Sequence, residues 1–253
     1  MVLLQDRTQA ASLFGHWPET LIWSCLQKTM GHVYADDSEH PRSVMARIGD
    51  FGFLAGDPQE ELAAYRPAEY PGPFVILVPQ THAWAAVIER VYGERARKVT
   101  RYATQKDRTG FDRKRLVEMI KQLPDAYTLE SLHEAWYDRC KGIDWCRDWV
   151  ALYPRYHDYR RHGLGVVIAK NGEPVAGASS YAYYRGGIEI QIDTAPPYRR
   201  RGLATVAGAA LILRCLDEGR YPSWDAQNTL SLALAEKLGY RFDHAYTAYE
   251  IHL

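Results

Sequence analysis

The chain has 253 residues, 47% hydrophobic and 25% charged, a composition suited to a globular protein with one large domain or two small ones. Lys+Arg and Asp+Glu both number 31, so the net charge is zero and no whole-molecule field would gather nucleic acid or an anionic membrane. Asp6 and Arg7 come too early for an apolar signal core, and no run nears the roughly 18 apolar residues of a membrane span, so a cytoplasmic protein is expected.

In chain order, the first clear element is P-G-P-F-V-I-L-V at residues 71–78, a short apolar run between turn residues that reads as a buried strand. T-H-A-W-A-A-V-I-E-R-V-Y follows with helical spacing. The mixed charges of Q-K-D-R-T-G-F-D-R-K-R suit a solvated loop and helix face. Pro124 should end the next helix, L-V-E-M-I-K-Q-L, and a domain boundary is placed there. Residues 1–124 then form an N-terminal α/β domain of unassigned role, and residues 125–253 form a second domain.

That second part opens with L-H-E-A-W-Y-D-R-C and D-W-C-R-D-W-V-A-L-Y, which read as short amphipathic helices with Trp136, Trp145 and Trp149 in the core. Strand patterns follow, separated by N-G and R-G-G turns, and predict an antiparallel meander. Its last strand, I-E-I-Q-I-D-T, turns Ile188, Ile190 and Ile192 to one face and Glu189, Gln191 and Asp193 to the other. Cys25, Cys140, Cys146 and Cys215 form no C-x-x-C pair, so free thiols are expected. His157 and His162 lack a third ligand at a recognisable spacing, and no metal is predicted. Asp144 and Asp148 could attract a polycation, or could simply be solvated.

After the meander, residues 198–205 read Y-R-R-R-G-L-A-T and lead into an apolar helix. Backbone amides at a helix start have no helical partner, the helix dipole adds positive charge, and glycine admits a phosphate close to the backbone. Arginines at the rim add charge-assisted hydrogen bonds. The physical reading is a pyrophosphate cradle, with a merely solvated arginine loop as the alternative. No basic stripe or aromatic platform around it suggests nucleic acid.

The pattern R-x-x-G-x-A, from Arg199 through Gly202 to Ala204, resembles the acetyl-CoA signature of the GNAT superfamily of N-acetyltransferases, Q/R-x-x-G-x-G/A. N-T-L-S-L-A-L-A-E-K-L-G-Y at residues 228–240 resembles that superfamily's N-x-x-A/S-x-x-L-Y-x-K-x-G-F/Y segment. Together with I-E-I-Q-I-D-T and Y-P-S-W-D-A-Q-N, the set is similar to the narrower group that includes the zwittermicin A resistance acetyltransferase. The resemblance covers about the last 125 residues. It implies an α/β (α+β) fold whose C-terminal part is a mixed, largely antiparallel sheet flanked by helices. It also implies acetyl-CoA as acetyl donor and direct transfer to a primary amine of a small molecule, such as an aminopolyol or other amino antibiotic.

Residue by residue, the resemblance puts the acetyl-pantetheine arm along Ile192, Asp193 and Thr194, with a fifth strand around residues 223–226. It puts the pyrophosphate on the amides of Arg200, Arg201, Gly202, Leu203, Ala204 and Thr205, with Arg199 bracing the loop. Asn228 and Ser231 would serve the cofactor, cap a helix, or do both. A carboxylate on the fourth strand serves as base in many members. Glu189 stands near that position and Asp193 is the second choice, although either could be an ordinary carboxylate on an exposed sheet face. The residue expected to be a tyrosine general acid is Ala235. A non-catalytic acyl-CoA-binding or sensing module with an N-terminal interaction domain is therefore the alternative function.

Overall fold

A computed structural model describes residues Met1–Leu253. The chain forms two compact units, Met1–Arg101 with Ala245–Leu253, and Tyr102–His244. The boundary expected at Pro124 lies inside the second unit. The helix before that proline, Arg113–Ile120, buries Leu116 and Met119 in the second unit's core, so the proline ends a helix without ending a domain.

In the first unit, β1 (Val2–Leu3), α1 (Thr8–Phe14) and α2 (Thr20–Leu26) precede β2 (His32–Ala35), β3 (Ser43–Ile48) and β4 (Phe51–Gly56). Strands β1 to β4 pair antiparallel in succession. After α3 (Glu60–Ala63), the predicted strand β5 (Phe74–Pro79) lies parallel to β4. The helix predicted next is α4 (His82–Tyr92), whose cap residue Thr81 accepts from the Trp84 amide. Its apolar stripe buries Trp84 and Ile88 against Met45, Leu54 and Leu77.

Strand β6 (Ala96–Thr104) carries the chain into the second unit, where α5 (Arg113–Ile120), β7 (Thr128–Ser131), α6 (Glu134–Lys141) and α7 (Tyr156–His162) follow. The second amphipathic helix expected around Trp149 is only a 3-10 turn, Arg147–Trp149. Cys146 and Trp149 are the inward residues there, and their spacing of three suits the tighter helix. Trp136 and Trp149 are buried as expected, whereas Trp145 is half-buried.

The predicted meander is present as β8 (Gly165–Lys170), β9 (Glu173–Tyr184) and β10 (Gly187–Thr194), antiparallel throughout. Its first turn uses Asn171 and Gly172 at positive φ. Helix α8 (Leu203–Asp217) follows, then β11 (Tyr221–Ser223), β12 (Asp225–Ala226), α9 (Thr229–Leu238) and β13 (Phe242–His252). The five-stranded sheet runs β11-β10-β9-β8-β7, with β11 parallel to β10. Strand β13 ends in the first unit, where Tyr249 pairs with Leu77 of β5. Gly208 lets α8 lie close to α9 and to this sheet, because a Cβ there would meet Leu238 Cδ1 of α9 at 2.6 Å and Ile192 Cδ1 of β10 at 3.2 Å. No helix is long and apolar enough to cross a membrane.

Candidate functional site: a forked strand and a helix start

The site begins where β10 loses its neighbour. Strand β11 pairs with Gly187, Ile188 and Glu189 only, and the chain then turns away through Trp224 so that β12 pairs with β6 instead. Beyond Glu189, the edge of β10 facing β11 has no ladder partner. Glu189 stands at this fork, 7% exposed, and its Oε1 accepts from the Asp225 amide at 2.9 Å. The alternative of an ordinary carboxylate on an exposed sheet face does not hold for it. Tyr184, Tyr221 and Tyr240 surround it. Burial raises all three phenols, and the negative charge of Glu189 raises them further.

Asp193 lies four residues along the free edge. Its Oδ2 accepts from Trp149 Nε1 at 3.0 Å and from Gln191 Nε2 at 2.9 Å. Gly177, the partner of Asp193 in β9, makes this possible: a Cβ there would lie 2.4 Å from the Trp149 ring. Burial pushes the Asp193 carboxyl above its ordinary value, while the hydrogen bonds from Gln191 and Trp149 pull it down. Thr194, next along, has a buried Oγ1 with no hydrogen-bond partner.

The arginine loop connects this edge to α8. Arg200 and Gly202 both have positive φ, 61° and 79°, which turns the chain sharply into the helix. The amides of Arg200, Arg201, Gly202, Leu203 and Ala204 donate to no group in the chain, whereas Thr205 already donates to the Gly202 carbonyl at 3.0 Å. A Cβ on Gly202 would meet nothing within 4 Å, so open space lies before these amides. The three arginines divide their work. Arg199 Nε donates to the Thr194 carbonyl at 3.2 Å and braces the loop. Arg201 folds back on Pro197 O at 3.0 Å and over the Tyr198 ring at 5.3 Å. Arg200 is exposed and has no such tether.

At the start of α9, Asn228 is the N-cap and accepts from the Ser231 amide at 2.9 Å, while the Ser231 hydroxyl accepts from Trp224 Nε1 at 3.2 Å. The capping role is therefore real for Asn228, and Ser231 is held by an indole. Ala235 is fully buried. Of the tyrosines that might replace a missing acid, Tyr240 gives its hydroxyl to the Pro222 carbonyl at 2.6 Å, and Tyr249 donates to Glu89 in the first unit. His157 instead pairs with Asp158, and the His162 ring stacks on Tyr183 at 4.3 Å. No group of three or more His, Cys, Asp or Glu is placed to hold a metal ion.

A family model described as GNAT acetyltransferase matches residues 11–249. The chain belongs to the GNAT acetyltransferase family. The match extends through both units, well beyond the last 125 residues in which the motifs lie. The crystal structure of a GCN5-related N-acetyltransferase-like protein from Streptococcus suis is 47% identical, covers 98% of both chains and superposes with a TM-score of 0.92. The uncharacterized N-acetyltransferase YdfB of Bacillus subtilis is 26% identical over 251 residues, covering 91% of this chain and 89% of its own. A GCN5-related N-acetyltransferase from Kribbella flavida shares only 16% identity, with 97% and 94% coverage and a TM-score of 0.57, which speaks for the fold alone. The chain is accordingly an N-acetyltransferase, of a family that generally draws its acetyl group from acetyl-CoA.

The acetyltransferase has features that suit this donor. Open space before unpaired amides at a helix start fits a pyrophosphate, and a free strand edge fits an amide-bearing arm. Sequence reasoning passed over the part played by four residues. Lys237 Nζ reaches Thr205 Oγ1 at 3.4 Å and so brings a cation to the start of α8. Tyr127 and Tyr198 pack edge to face beside Arg201. Trp149, read only as core, also holds Asp193. Lys237 was visible in L-A-E-K-L-G-Y, but the two tyrosines lie 71 positions apart and carried no local signal.

Proposed function

We propose that the acetyltransferase moves the acetyl group of acetyl-CoA directly to a primary amine of a small molecule, of the aminopolyol or other amino-antibiotic kind, in the cytoplasm. The observation that carries this reading is the free edge of β10 running from Glu189 to the unpaired amides before α8. The buried, unbridged cysteines are consistent with a reducing compartment. Membership in the group of the zwittermicin A resistance enzyme belongs to the same proposal, on the motifs quoted above.

Acetyl-CoA supplies an already activated thioester, so the chain has only to bind, orient and manage protons. The amides of residues 200–204, with Arg200 and Lys237, would hold the pyrophosphate. The backbone of Ile192, Asp193 and Thr194 would pair with the pantetheine arm, helped by Thr194 Oγ1. Glu189 is the proposed base: a buried carboxylate at the fork can accept a proton from the ammonium form of the acceptor, directly or through a water. Asp193 is the second candidate, although its bonds to Trp149 and Gln191 suit a fixed acceptor of hydrogen bonds better. With Ala235 at the usual acid position and Tyr240 committed to Pro222, no side chain is assigned to protonate the leaving thiolate.

The test is free-thiol release from acetyl-CoA against a panel of primary amines, including aminopolyols, aminoglycosides, polyamines and lysine peptides. Turnover with a small amine supports the proposal. Turnover confined to peptides would overturn the acceptor class, and CoA binding without turnover of any amine would overturn the proposed transfer.

A further inference from the structure

The second unit contains a recess that acetyl transfer at β10 and the start of α8 does not use. It lies between one face of α7, the end of β7 and the C-terminal half of α8, and has room for about 200 Å³, many times what a single water needs. Leu132, Tyr159 and Leu164 form its buried floor. Tyr159 and Arg160 lie one helical turn beyond Tyr156, so α7 turns all three to the recess.

Three guanidiniums converge here. Arg214 Nη1 donates to the Gly165 carbonyl and Arg220 Nη1 to the His162 carbonyl, both at 2.9 Å, which fixes two of them. Arg160 is exposed and bonds to no group of the chain. The lining contains one carboxylate, Glu218, whose Oε2 lies 3.2 Å from Arg220 Nε. Arg160 and Arg214 therefore line the recess with no carboxylate to balance them, and half-buried Arg214 keeps donors beyond its one carbonyl bond. The hydroxyls of Ser131 and Tyr156 stand in the same lining and likewise bond to no group of the chain. Like charges gathered in a partly desolvated hollow repel, and an anion between them removes that cost. Donors spread over β7, α7 and α8 suit the tetrahedral oxygens of a phosphate better than the two coplanar oxygens of a carboxylate.

We propose that this recess binds a phosphate group, free or as the monoester of a small molecule, between Arg160 and Arg214, with Ser131 and Tyr156 as further donors. Arg214 lies 11 residues past Leu203 on α8, about 16 Å along the helix, so the site is separate from the pyrophosphate cradle.

The test is calorimetric titration of the full chain, at slightly alkaline pH where the phosphate is a dianion, with inorganic phosphate and, separately, glycerol 3-phosphate, each against chloride at equal ionic strength. The tighter of the two shows whether the site takes the free ion or a monoester. Phosphate settling at the α8 cradle does not depend on Arg160, so variants at Arg160 isolate the binding step that belongs to the recess. Arg160→Ala should weaken that step by about 5-fold to 15-fold, the lower range for a charged hydrogen bond because the guanidinium is exposed, and Arg160→Glu should reduce it to the chloride level. The unfolding temperature of Arg160→Ala without phosphate should be nearly unchanged, since the side chain has no partner to lose. Absence of binding by both ligands, or the same titration curve for the parent and Arg160→Glu proteins, would overturn the proposal. Neither result would touch the acetyl-CoA reading, because CoA affinity of Arg160→Ala is measured separately and is expected to be unchanged.

Discussion

Replacing Glu189 with Gln is the most informative single change. The wild-type carboxylate is 7% exposed, and its Oε1 accepts a hydrogen bond from the Asp225 amide at 2.9 Å. Gln retains a carbonyl oxygen for that bond, so a charged hydrogen bond worth about 1.5–3 kcal/mol becomes a neutral one worth about 0.5–1.5. The fork should therefore survive with a stability loss of about 1 kcal/mol. Removing the charge also takes away one of the contributions, after burial, that raise the Tyr184, Tyr221 and Tyr240 phenols above their ordinary value. On catalysis, loss of a general base should reduce turnover by about 100-fold to 10,000-fold, or about 3–5 kcal/mol of barrier, with CoA affinity nearly unchanged. At saturating acetyl-CoA with a verified acceptor, the wild-type rate should rise with pH through one ionisation, and the mutant should lose that limb or show it moved upward. Wild-type turnover with the same pH profile in Glu189→Gln would refute the assignment.

Three further outcomes follow from the same geometry. Gly202→Glu should abolish CoA binding, because its carboxylate would occupy the open space before the unpaired amides; the left-handed backbone, φ 79°, adds a stability cost of about 1–2 kcal/mol, and calorimetry on the folded mutant checks both. Asp193→Asn should raise the unfolding temperature at pH 7. The folded carboxyl is shifted above its unfolded value, so its ionisation opposes folding, and the gain should vanish below the unfolded carboxyl's pKa, where both forms are neutral. Asn228→Asp keeps the oxygen that caps α9 but loses the amide donor. Unchanged unfolding temperature with weakened CoA binding would establish a cofactor role for Asn228, whereas unchanged affinity would leave it a cap alone.

Local patterns were enough to foresee much of this molecule. Period-two alternation in I-E-I-Q-I-D-T, the N-G turn and the helical spacing after Thr81 all express steric rules acting over a few residues, and the corresponding elements stand where those rules place them. The helix start at R-R-R-G-L-A was equally legible, because unpaired amides follow from any chain that enters a helix there. Other features depend on residues far apart in sequence. Pro124 marks a helix end but cannot reveal that Leu116 and Met119 pack into the second unit, so the domain boundary was misplaced. The burial of Glu189 required β12 to leave for β6 and bring the Asp225 amide to its carboxylate from 36 positions away. Trp149 reached Asp193 because Gly177 on a third element left space for its ring. Even the three adjacent arginines, identical in sequence, differ by what the fold offers them: Thr194 O for Arg199, Pro197 O and the Tyr198 ring for Arg201, and open solvent for Arg200. Side-chain type and spacing determined which groups were present; tertiary packing determined which were buried, paired or left free, because desolvation and hydrogen bonding depend on neighbours that sequence distance does not encode.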